Sequence, residues 1–181
     1  MNALGNRQVA DYVNANFVST YLKVGKFQIV GGQKVGGNVA SYFCLADGSV
    51  VHAVAGPTDA VTFQTEARWA LDIDKAARTA STSRITGEWN RAKHAAVLRQ
   101  AHGERYHDLR GTPIGLRKTI PATMPLLGGA KAQTHWLLAK EPLSPLESVY
   151  PIVWERILNE RLSALPVARR VQRRQDFRGE L

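Results

Sequence analysis

Residues 42–59, YFCLADGSVVHAVAGPTD, decide how this chain is read. Two β-rich runs, residues 40–45 and 49–55, flank Ala46-Asp47-Gly48. An Asp-Gly pair supplies the positive φ angles that a tight hairpin turn requires, so the stretch predicts two antiparallel strands. Gly56-Pro57 ends the second strand and Thr58-Asp59 opens a helix. There Thr58 can accept from N–H groups of the first turn, and Asp59 complements the positive helix end. The helix is expected to run to about residue 73, with Ala60, Phe63, Ala67, Ala70 and Leu71 as its apolar stripe. Cys44, the single cysteine of the chain, falls in the first strand. It lacks the helix N-terminus that would lower its pKa and the second cysteine that would resolve a mixed disulfide. It reads as a buried small hydrophobe, slow to react.

Outward from the hairpin, residues 6–16 place Val9, Tyr12 and Val13 at helical spacing, and FVSTYLKV (residues 17–24) is β-branched and aromatic enough for a strand. Residues 25–38 carry Gly31-Gly32 and Gly36-Gly37 and read as a loop with room for one short strand or helical turn. Residues 74–109 read as a second, basic helical region anchored by Trp89, Ala92, Ala96 and Leu98. Residues 109–130 hold three prolines and four glycines, too many for a regular helix. THWLLA (residues 134–139) reads as a buried strand and residues 151–165 as an amphipathic helix, followed by a mobile Arg-rich tail.

An apolar content of 44% and no apolar run approaching ~18 residues argue for a soluble globular protein without a membrane span. The first residues show neither a basic n-region nor an apolar h-region, so no signal peptide is visible. A lone cysteine excludes an internal disulfide and a cysteine-based metal site. The net charge of +9 is segmental. Residues 1–77 and 119–167 are each neutral, whereas residues 78–118 carry +6 and residues 168–181 carry +3. Such segments attract anions: nucleic acid, anionic lipid or an acidic protein surface.

The order helix, strand, glycine loop, hairpin, helix resembles the C-terminal two-thirds of a thioredoxin fold. VADYVNANFV resembles the segment that follows the redox motif in thioredoxin-like proteins, and YFCLADGSVVHAVAGPTDAVTF resembles their hairpin and closing helix, over roughly residues 7–72. The Cys-x-x-Cys unit of that family is absent. Without its strand, two sheet edges would stand unpaired. HWLLAKEPLSPLESVYPIVWERILNE resembles the missing unit, with Leu143, Ser144, Pro145 and Leu146 as degenerate redox-motif positions and Pro151 at the family's kink. A circularly permuted domain, a truncated one and a thioredoxin-like half-fold all stay open.

The resemblance implies an α/β fold, a thioredoxin-like three-layer sandwich with a mixed sheet, plus a basic helical and Pro/Gly insertion and an Arg-rich tail. Residues 1–73 would be the thioredoxin-like portion and 74–130 the connector. Residues 131–167 would be the strand and helix completing the sheet, and 168–181 the tail. No catalytic residue is expected. Asn38, Val39 and Ala40, which replace the family's cis-proline loop, line the candidate groove. The basic patch comprises Arg84, Arg91, Lys93, Arg99, Arg105, Arg169, Arg170, Arg173 and Arg174. His94, His102, His107 and Glu104 fall in one stretch but show no i, i+4 histidine pair, so neither a metal site nor a cofactor is expected there or at His52 and His135. Three functions follow as expectations. One is a redox-inactive module binding a protein or peptide, with homodimerisation by segment exchange as one way of completing the sheet. The others are a fragment of a thiol-disulfide oxidoreductase whose motif lies upstream, and a binder of nucleic acid or anionic surfaces.

Overall fold

A computed structural model of the chain describes residues 3–24, 28–35, 38–80, 82–102, 128–162 and 169–171. At its centre is the hairpin of β4 (Ala40–Cys44) and β5 (Val50–Ala55), with Ala40 opposite Ala55 and Phe43 opposite His52. The turn closes as the Asp-Gly pair dictates. Gly48 takes a φ of +86°, Leu45 N–H donates to Ser49 O at 2.9 Å, and the Asp47 carboxylate accepts from Ser49 N–H at 2.9 Å. A register shift between Phe43 and Cys44 marks a bulge.

Cys44 is exposed, where burial was expected. Strand alternation sets Cys44 on the face opposite Phe43 and Leu45, which pack into the core, and at the end of β4 that opposite face is open. Partial desolvation of its sulfur, reinforced by the nearby charges of Glu147 and Asp47, pushes the thiol up to about 11.

Helices flank the hairpin. α1 (Arg7–Asn16) is capped by Asn6, whose side chain accepts from Gln8 and Val9 N–H, and α2 (Ala60–Thr79) is capped by Asp59 rather than Thr58, accepting from Thr62 N–H at 2.9 Å. α2 buries Phe63, Ala67, Ala70 and Ile73. Together with Val9, Phe43 and Val51 these residues form one core cluster. α3 (Ser83–His102), α4 (Ala130–Lys140) and α5 (Leu146–Ile152), which continues as a π-helical turn (Val153–Ile157), build the other. That cluster joins Val50 and Ala53 to Leu98, Trp136, Leu137, Leu138, Val149 and Val153.

Residues 134–139 are therefore not the expected strand but the body of α4. Thr134, His135, Trp136, Leu137, Leu138 and Ala139 are all buried in it. A helix apolar on every side carries no 3.6-residue stripe, and its sequence cannot be told from a buried strand by periodicity. The amphipathic helix expected over residues 151–165 begins earlier, at Leu146, and holds Pro151 inside it. Asn159, with φ +53°, follows its last turn.

The expected single mixed sheet is likewise replaced among the described residues by three two-stranded antiparallel sheets. β2 (Gln28–Val30) pairs with β3 (Gln33–Val35). β1 (Thr20–Leu22) pairs with β6 (Arg169–Val171), so this part of the C-terminal segment is strand.

The outer edge of β5 is satisfied without another strand. Val50 N–H donates to Ser144 O at 2.9 Å and Leu146 N–H to Gly48 O at 3.2 Å. The carbonyl of Val51 accepts from the Asn90 side-chain amide at 2.8 Å and lies 3.0 Å from His94 Nε2. Side chains of α3 thus replace part of a ladder.

Candidate metal centre

Three histidines meet beneath this edge. β5 supplies His52, α3 His94 and α4 His135, respectively 1%, 0% and 2% exposed. One ring nitrogen from each lies within 4.8 Å of the other two. α2 completes the setting with Glu66 and with Trp69, whose indole stands 4.6 Å from both the His52 and His94 rings and 5.9 Å from that of His135.

The hydrogen bonds fix which nitrogens are spent. His52 Nε2 lies 2.8 Å from Glu66 Oε2, and His94 Nε2 bonds the Val51 carbonyl. Carboxylate and carbonyl oxygens only accept, so both Nε2 atoms carry protons and both Nδ1 atoms of the neutral rings present lone pairs. His94 Nδ1 takes a bond from His135 Nδ1 at 2.9 Å, whereas His52 Nδ1 is buried with no partner. The other carboxylate oxygen of Glu66 accepts from Lys131 Nζ at 2.7 Å.

Electrostatics keeps the rings neutral. Burial lowers the pKa of His52, a shift opposed by Glu66. Burial together with the neighbouring histidines holds His94 well below its usual range. Burial, and then the charge of His52, takes His135 down to about 3. Desolvation alone would raise Glu66, but its hydrogen bonds from His52 and Lys131 outweigh that and keep it ionised.

Neutral imidazole is the form that binds metal. A ligating histidine commonly donates its other N–H to a carboxylate or backbone carbonyl, as His52 and His94 do here. The His94–His135 contact of 2.9 Å is shorter than the roughly 3.4 Å separating two nitrogens held about 2.1 Å from a tetrahedral ion. Binding an ion would therefore spread these two rings by a few tenths of an ångström and displace the proton between them.

The residues singled out from the sequence fall elsewhere. Ser144, Pro145 and Leu146 dock on the turn end of the hairpin, while Asn38, Val39 and Ala40 lie at its other end, where Asn38 N–H donates to Glu160 and Val39 O accepts from Gly56 N–H. The degenerate motif and the groove residues are thus not brought together. Leu143 packs with the α1–α2 cluster and Leu146 with the α3–α4 cluster.

Of the basic patch, Arg84 pairs with Glu88 at 3.4 Å, Lys93 covers the Trp89 ring at 4.7 Å, and Arg91 and Arg99 are exposed on α3. Arg169 and Arg170 belong to β6. Arg105, Arg173, Arg174, Glu104 and His107 lie outside the described residues, and His102 is the last residue of α3.

His52, His135, Glu66, Trp69 and Asn90 escaped sequence reasoning as site residues. The signal that could have found the histidines is their setting, since each interrupts an apolar or small-residue run: VVHAVA, KHAAVL and THWLLA. No family model, curated protein or solved structure matches the chain.

Proposed function

We propose that this protein binds a transition-metal ion of the zinc class through His52, His94 and His135. The observation carrying the reading is the convergence of three buried imidazoles from three separate elements, one of them with an orphaned ring nitrogen. An unmade bond of a buried polar group costs on the order of 1–3 kcal/mol, and an ion on His52 Nδ1 removes that cost. An ion satisfies all three inward nitrogens at once. Imidazole donors backed by a carboxylate and a carbonyl suit zinc, copper and nickel better than calcium or magnesium.

Calorimetric titration of the chelator-stripped full chain with Zn2+ tests the proposal. One ion per chain is expected, with binding lost in His52→Gln/His135→Gln. Glu66→Gln is expected to weaken it by about 10- to 100-fold. Undiminished affinity in the double variant, or no uptake at micromolar Zn2+, would overturn the reading.

A second reading is a redox-inactive module for a protein or peptide partner, with residues 144–146 docked on the hairpin edge as a packing contact. Absence of insulin reduction with dithiothreitol by the full chain supports it, and turnover abolished by Cys44→Ser would sink it.

A further inference from the structure

Resting on the metal reading, we infer that the bound ion keeps a fourth coordination position that takes a small anion. Tetrahedral sites closed by protein have four ligands, and those with three protein ligands hold an exchangeable fourth. Among the described residues only three histidines, cysteines or carboxylates converge on the cluster.

The nearby groups do not supply the missing donor. Glu66 has one oxygen on His52 and the other on Lys131. Asn90 gives its amide nitrogen to the Val51 carbonyl, the same oxygen reached by His94 Nε2, so its side chain lies by the outer nitrogen of His94 rather than by Nδ1, with its buried Oδ1 unpaired there. Trp69 presents an indole, whose N–H can only donate. Its ring stands against all three histidines while its own residue is only half-buried, so a single aromatic layer separates one side of the cluster from solvent.

Charge selects the occupant. Three neutral rings contribute none, and the carboxylate of Glu66 is balanced by the ammonium of Lys131. A divalent ion here would bring two positive charges into an enclosure that does not offset them. Burying uncompensated charge is costly, and a monovalent anion on the ion removes half of it. Size points the same way, because the surrounding rings lie at centroid distances of 4.6–5.9 Å from one another. The class of ligand is thus a small monovalent anion, hydroxide or a slender one such as azide.

Substituting Co2+ into the full chain makes the coordination visible by absorption. The spectrum is recorded while azide, and in a separate series neutral imidazole, is added. Azide is expected to change the cobalt bands with one-to-one saturation, about tenfold or more tighter than imidazole. Cobalt bands that neither compound alters would mean a closed position, and equal affinity for both would mean no preference for anions; either overturns this inference and leaves the metal site standing. Absence of a cobalt signal would overturn the metal reading itself.

Discussion

Each of the three histidines changes proton affinity on folding, and the direction is the same for all. Buried and neutral, they have folded pKa values below the unfolded value of about 6.5. Below that pH the unfolded chain binds more protons than the folded one. Their contribution to stability is therefore fully present above about pH 6.5 and is lost as pH falls toward the folded values, about 3 for His135. Each histidine adds a slope of about 1.4 kcal/mol per pH unit inside that window. Denaturant melts of the metal-free protein at pH 7.5, 6 and 5 should show the midpoint dropping steeply below about 6.5. His135→Gln should flatten the slope by about a third, and an unchanged pH profile in that variant would contradict the neutral-cluster description. None of this chemistry was legible in residue spacing, because the three histidines stand far apart in the sequence and meet only through packing. The search that sequence permits, for histidines one helical turn apart, looks within an element, and this cluster takes one residue from each of three.

Among elements, the hairpin was readable because its determinants are local: the Asp47-Gly48 turn, β-branched flanks and the Gly56-Pro57 break. α4 was not, because a run buried on every side has no period. In the structure the edge of β5 is met by residues 144–146 and by side chains of α3, so THWLLA is not needed there as a strand. Side chains of α3 do part of that work. Asn90 is 0% exposed and donates to Val51 O, so Asn90→Ala should leave a buried carbonyl with one bond fewer and cost about 1–3 kcal/mol. Equilibrium unfolding in urea measures it. A loss below about 0.5 kcal/mol would mean that His94 alone satisfies the carbonyl. Cys44 was expected to be buried on residue type alone, whereas its place opposite Phe43 at the end of β4 leaves it exposed.

At the scale of the molecule, the two core clusters meet at the hairpin, one closed by α1 and α2 and the other by α3, α4 and α5. The second draws Trp136, Leu137, Leu138, Val149 and Val153 from beyond residue 127. Deleting residues 128–181 should therefore leave an aggregating chain, because Val50, Ala53 and Leu98 would lose their cover. A truncated chain that sediments as a monomer and melts cooperatively would show that the remainder folds alone. The pairing of β1 with β6 has a mechanical meaning of its own. Thr20 lies opposite Val171 and Leu22 opposite Arg169, so tension applied to the chain before Thr20 and after Val171 pulls on one and the same end of the ladder. Force in that geometry opens the bonds one after another instead of loading them together in shear. Gripped at its open end, the pair is a zip, not a clasp.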